Sequence, residues 1–143
     1  MTVKAILSRK GSDVVTVDPN ALLGEAVRLL ATHRIGAVVA TGAHRRIVGI
    51  LSERDIVRAL GEKGPAVLTM PVAEAMTRKV VTCTSGDTIV GLMERMTEGK
   101  FRHVPVVEQD RLVGIISIGD VVKWRVQEME QESAALRDYI RTA

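Results

Sequence analysis

The chain repeats itself. Slid along by 66 residues, Val14-Val15-Thr16 falls on Val80-Val81-Thr82, and slid by 65, the stretch Ile47 to Arg58 (IVGILSERDIVR) falls on Leu112 to Lys123 (LVGIISIGDVVK). Six of those twelve pairs are identical and four more are conservative. The lead-ins match too, Val3-Lys4-Ala5-Ile6-Leu7-Ser8 against Val72-Ala73-Glu74-Ala75-Met76-Thr77, with three extra residues in the loop that follows in the first copy. A unit of about 60 residues buries only some 60% of its unfolded surface and is marginal alone. The two copies are therefore expected to pack together as one pseudo-symmetric domain.

Each copy reads as strand, helix, strand, strand, helix. In the first, VVTV precedes helical spacing at Leu22, Leu23, Ala26, Leu29 and Leu30, then come GAVVA and IVGIL. In the second, VVTC precedes Ile89, Leu92, Met93 and Met96, then come HVPVV and LVGII across the polar turn Glu108 to Arg111. This predicts an α/β (α+β) fold of two β-α-β-β-α repeats, residues 1–62 and 72–123, joined by a linker over 63–71 that contains Gly64-Pro65 and Met70-Pro71. Strands as apolar as GAVVA need both faces covered. Residues 124–143 are expected to continue the last helix. There Val122, Val126, Met129, Ser133, Leu136 and Ile140 follow a 4-3-4-3-4 spacing, a heptad seam. A helix lying back on its own domain and a contact between two chains fit that spacing equally. Trp124 and Tyr139 are expected to pack rather than bind a cofactor.

Composition removes several classes of function. With 46% apolar and 26% charged residues, the 143-residue chain has the balance of a globular domain. A lone cysteine, Cys83, excludes a disulfide framework and a cysteine-based zinc site, and its place in an expected strand suits a small hydrophobe better than a nucleophile. The net charge is +3 with acids and bases interspersed, and only Phe101, Trp124 and Tyr139 are aromatic, which argues against nucleic acid as a partner. No apolar run is long enough for a membrane span, and a cytoplasmic setting is expected. No phosphate-binding glycine loop, zinc-protease or nucleophile-elbow motif occurs, and His33, His44 and His103 are too scattered to suggest a metal site. The expectation is a protein without catalytic residues or a catalytic cofactor.

What both copies keep is Gly-x-x-Ser-x-x-Asp: Gly49, Ser52 and Asp55, then Gly114, Ser117 and Asp120. Ser-x-x-Asp before an apolar helix can be a capping box, which binds only its own backbone. An aspartate at a helix mouth can also accept from both hydroxyls of a ribose, with free helix amides favouring phosphate. Spacing alone supports both readings equally.

The doubled unit, with its VVT segments, FRHVPVV, GILSERD and GIISIGD, resembles a tandem pair of CBS domains, a Bateman module, over nearly the whole chain. It is similar to small stand-alone bacterial signal-transduction proteins of that kind. The resemblance implies two clefts between the copies for adenosine-containing ligands and a disc-shaped homodimer. Carried over residue by residue, it implies a site A of Ile50, Ser52, Arg54, Asp55, Val80, Val81, Phe101, Arg102, His103 and Pro105. It implies a site B of Asp13, Val14, Val15, Ile35, Gly36, Ala37, Val39, Ile115, Ser117 and Asp120. The aspartates would hold ribose, the serines would orient that contact, and the Val and Ile side chains would sandwich the base.

Charge separates the two sites. Arg54, Arg102 and His103, the last when protonated, could meet phosphate at site A, whereas site B has Gly119, Gly36 and Ala37 in their places. Site A is thus expected to prefer a phosphorylated nucleotide, and site B to be weaker or to accept a less charged adenosyl group. The function implied is an energy or redox sensor that binds AMP first, with ADP, ATP or NAD as alternatives, and signals to a regulated protein by changing shape. The rival is a dimeric interaction scaffold with vestigial clefts.

Overall fold

The computed structural model describes residues 1–142; Ala143, the last residue of the expected tail, lies outside them. The first copy supplies α1 (Val3–Lys10), β1 (Thr16–Val17), α2 (Leu23–His33), β2 (Ala37–Thr41), β3 (Ile47–Ser52) and α3 (Glu53–Lys63). The second supplies α4 (Ile89–Gly99), β4 (His103–Glu108), β5 (Arg111–Ser117) and α5 (Ile118–Thr142). Short 3-10 turns at Pro65–Thr69 and Val72–Glu74 join them, and the joining segment is packed, with Val67 only 1% exposed.

In the first copy β1 runs parallel to β2, and β2 pairs antiparallel with β3 from Ala37 opposite Ser52 to Thr41 opposite Ile47. In the second, β4 and β5 pair antiparallel from His103 opposite Ser117 to Glu108 opposite Arg111. The first strand expected of each copy is shorter than its sequence suggests. VVTV is a strand only at Thr16–Val17, and VVTC shrinks to one parallel bridge between Cys83 and Val106. That bridge is made by Cys83 N–H donating to the Pro105 carbonyl at 3.0 Å and Val107 N–H to the Cys83 carbonyl at 2.8 Å. Val80 and Val81 precede this point and face a cleft instead of a neighbouring strand.

Two cores form, and each borrows from the other copy. Leu23, Ala26, Leu30, Val38, Leu51 and Ile56 make the first, which is completed by Val72 and Met76 from the second copy's lead-in. Ile89, Leu92, Met96, Val104, Ile116 and Trp124 make the second, completed by Val3 and Ile6 from α1. Val3 is fully buried and Ile6 is 5% exposed, so these two side chains contribute about 1.5–3 kcal/mol each to the half they visit. Backbone contacts fix both exchanges: Val3 N–H donates to the Asp87 carbonyl at 2.9 Å, and Ile50 and Thr77 exchange N–H to carbonyl bonds at 2.9 and 2.8 Å.

The exchange accounts for the shared glycines. A Cβ on Gly49 would stand 2.5 Å from Met76 Sδ, and one on Gly114 would stand 2.8 Å from Leu7 Cδ2. Leu7 and Met76 are matched positions of the two lead-ins, so each lead-in crosses its partner sheet over a residue that must lack a side chain.

The heptad seam does not lie back on the domain. Trp124 is 6% exposed within the second core, but every described residue from Met129 onward is exposed. Tyr139, expected to pack, is 71% exposed because no other part of the chain reaches that stretch of α5.

Candidate functional site

The capping reading of Ser-x-x-Asp is realised at both helices. At α3, Ser52 N–H donates to Asp55 Oδ2 at 3.0 Å and Asp55 N–H donates to Ser52 Oγ at 3.3 Å. At α5, Ser117 N–H donates to Asp120 Oδ2 at 2.9 Å and Asp120 N–H to Ser117 Oγ at 3.2 Å. Caps of this type are worth about 1 kcal/mol each. They leave the second carboxylate oxygen for other work. Asp55 is 4% exposed, and its Oδ1 accepts from Thr77 Oγ1 at 3.1 Å and Arg58 at 3.3 Å.

Beside Asp55 the two copies enclose a cleft of about 540 Å³. Of the residues expected at site A, Ile50, Ser52, Arg54, Asp55, Val80, Val81, Phe101, Arg102 and His103 line it. Pro105 does not. It is buried in β4 opposite Ile115, where the chain through Cys83 pairs alongside it. Gly36, expected at site B, lies on this cleft as well, because it sits under His103: a Cβ there would be 3.2 Å from His103 Cε1.

Glu53, Arg58, Thr77, Lys79, Gly99 and Lys100 also line the cleft and were not singled out from sequence. Thr77 closes the lead-in match, which was a visible signal without an evident role. Lys79 and Lys100 stand next to Val80 and Phe101 in the chain. With them the cleft holds five basic side chains, Arg54, Arg58, Lys79, Lys100 and Arg102, against the carboxylates Glu53 and Asp55. Arg54 reaches across from α3 and donates to the Lys100 carbonyl at 3.2 Å, so it ties the two copies at the rim.

His103 sits where its charged form is disfavoured. Burial holds its pKa below the ordinary 6.5, and the nearby Lys10 and Arg102 act in the same direction, against the pull of Glu53 and Asp120. His103 was expected to meet phosphate only when protonated, and its lowered pKa disfavours that form. The fixed positive charge of the cleft comes from the arginines and lysines.

The residues expected at site B are not gathered on either of the two cavities described. Asp13 is exposed in a loop, Val14, Val15 and Ile35 are half-buried, and Ala37 and Val39 are buried inside β2. Ile115 and Ser117 lie half-buried in β5, and of the ten residues expected only Asp120 borders a second cavity, of about 170 Å³. Its carboxylate is met there by Lys10 Nζ at 2.7 Å. Partial burial alone would raise the pKa of Asp120, but the hydrogen bonds from Lys10 and Ser117 and the Lys10 charge outweigh it and hold the group below its ordinary value.

Cys83 is buried, and desolvation together with the nearby Asp87 pushes its thiol up to about 12, so it stays protonated and unreactive. Among the described residues no cluster of His, Cys, Asp and Glu is arranged to hold a metal ion, and no helix is long and apolar enough to cross a membrane.

Two copies of one unit, exchanged lead-ins and an intervening cleft define a class, and comparison with known proteins names it. The profile of the CBS domain matches residues 3–62 and again 72–127, and the chain belongs to the CBS-domain family as a tandem pair. It is 34% identical to the CBS domain-containing protein YhcV of Bacillus subtilis, over 86% of this chain and 84% of that one. It is 34% identical to the mitochondrial CBS domain-containing protein CBSX3 of Arabidopsis thaliana, over 82% of this chain but only 59% of that protein. Among solved structures, the CBS-domain protein ATU1752 of Agrobacterium tumefaciens superposes with a TM-score of 0.84 at 54% identity, covering 87% of this chain and 99% of that one. The CBS protein PAE2072 of Pyrobaculum aerophilum, solved in complex with AMP, superposes with a TM-score of 0.74 at 28% identity, over 84% of this chain and 89% of that one. The CBS pair of MJ0100, solved with 5′-methylthioadenosine and S-adenosylmethionine, gives 0.80 at 27% identity, over 90% and 98%.

Proposed function

We propose that this chain is a non-catalytic regulatory module that binds an adenine nucleotide, AMP foremost with ADP, ATP or NAD as alternatives, in the 540 Å³ cleft between its copies. One observation carries the reading. A single cleft offers an apolar wall for a base in Ile50, Val80, Val81 and Phe101, a helix-mouth carboxylate for a ribose in Asp55, and five cations for phosphate. The AMP complex of PAE2072 and the adenosyl complexes of MJ0100 support the same class of ligand. Occupancy acts on a regulated protein only if the ligand binds one shape of the module more tightly than another. Arg54 and its bond to Lys100 span the two copies and are suited to report it. The free, buried Cys83 fits a reducing compartment such as the cytoplasm.

A second reading rests on a separate observation. Val122, Val126, Met129, Leu136 and Ile140 are 47–65% exposed along one seam of α5, as a dimeric interaction scaffold would require. Melting the protein with AMP, ADP, ATP, NAD or adenosine separates the two. A nucleotide at 100 times its dissociation constant adds about 2.7 kcal/mol to stability. AMP is expected to raise the midpoint more than adenosine, and Asp55→Ala is expected to weaken AMP binding at least about tenfold, the loss of one charged hydrogen-bonded contact. A midpoint indifferent to all five compounds, in a chain that remains dimeric, would leave the scaffold.

A further inference from the structure

The repeat makes it possible to ask what stands, in the second copy, where Thr77 stands in the first. Thr77 comes from the second copy's lead-in, and it satisfies two acceptors at the first cleft. Its N–H donates to the Ile50 carbonyl at 2.8 Å, and its hydroxyl donates to Asp55 Oδ1 at 3.1 Å. The counterparts of those acceptors are Ile115 and Asp120. Both are taken by one group from the first copy's lead-in: Lys10 Nζ donates to the Ile115 carbonyl at 2.8 Å and to Asp120 Oδ2 at 2.7 Å.

The chemistry of the two occupants differs. At the first cleft the lead-in supplies a neutral hydroxyl, and the cation that meets Asp55 is Arg58 of the same helix, 57% exposed and 3.3 Å away. At the second, the lead-in supplies an ammonium, which offsets the Asp120 charge through a charge-assisted bond about twice as strong as a neutral one, made to Oδ2, the oxygen that also caps α5. The cavity beside Lys10 and Asp120 is about 170 Å³, against about 540 Å³ at the first cleft, and of the residues expected at site B only Asp120 lines it. Arg9 and Lys123 border the same small cavity and keep its rim basic, while Lys10 remains 31% exposed at the end of α1 and is not needed to fill a core.

We propose that Lys10 is a tethered occupant of the second cleft, the residue that confines adenosyl binding to one site per chain. The inference rests on the proposed function and adds to it a stoichiometry and the residue that sets it.

Isothermal titration of AMP into the full chain tests it. The wild type is expected to bind one AMP per chain. Lys10→Ser, which removes the ammonium, is expected to bind two, and Lys10→Met, which keeps an apolar stem of similar length, guards against loss of α1 packing. Adding Asp120→Ala to either variant is expected to remove the new site and return the count to one. Two sites in the wild type, or a count of one in both Lys10 variants, would overturn the inference while leaving the nucleotide reading intact. No binding by the wild type together with one Asp120-dependent site in a Lys10 variant would overturn the nucleotide reading of the first cleft and sustain the role of Lys10. No binding by any of these proteins would overturn both.

Discussion

At Gly114 there is no room for a methyl group. A Cβ would press on both branches of Leu7, at 2.8 and 2.9 Å, whereas the same addition at Gly49 meets the unbranched and pliable Met76. Gly114→Ala is therefore expected to destabilise the protein by about 1–3 kcal/mol in urea unfolding, the range for overpacking. Gly49→Ala should cost less, and Leu7→Ala combined with Gly114→Ala should cost less than the two changes added together. Additive losses would mean that the lead-in does not press on the strand. These glycines were visible in the sequence as part of a repeated motif. Their reason was not, because it depends on a residue more than 100 positions away for Gly114 and fewer than 30 for Gly49. Ser52 and Asp55 were legible down to their capping bonds, which spacing dictates locally. The lowered pKa of His103 was not legible, since it depends on burial and on charges that only the fold brings near.

Among the elements, α5 is the one that the rest of the chain leaves unfinished. Its seam of Val126, Met129, Ser133, Leu136 and Ile140 is flanked by Arg125 and Glu132 on one side and Glu130 and Arg137 on the other. In a parallel pair of such helices, Arg125 faces the partner's Glu130, and Glu132 faces the partner's Arg137, with opposite signs in both cases. Val57 on α3 and its counterpart Val122 are exposed too, at 69% and 50%, and offer a second surface for the proposed homodimer. Sedimentation equilibrium distinguishes them. Leu136→Glu is expected to dissociate the dimer and Val57→Glu to spare it; the reverse outcome would move the interface to the closing helices. Periodicity identified helices α2 and α4 and the hairpin strands, because apolar spacing reports directly which face is buried. It overstated VVTC as a strand, because extended backbone becomes a strand only where a neighbour pairs with it, and only Cys83 has one.

For the molecule as a whole, the exchange of lead-ins makes the copies interdependent. Residues 1–62 alone lack Val72 and Met76, and residues 72–143 alone lack Val3 and Ile6, so neither fragment can close its core. Each is expected to be largely unfolded by circular dichroism, and mixing them should restore helical signal. In the intact chain, Trp124 fluorescence, which reports the second core, should change at the same urea concentration as the circular dichroism of the whole. Separate transitions would show that the halves are autonomous. Duplication was plain from the sequence, and so was the need for the copies to pack. Which lead-in belonged to which core was not, since matching segments carry no record of where in space they go. The same crossing bears on what a lone repeat could do. A solitary repeat of this kind could seal its interior only by taking that arm from an identical neighbour, a need that one continuous ribbon meets here from within.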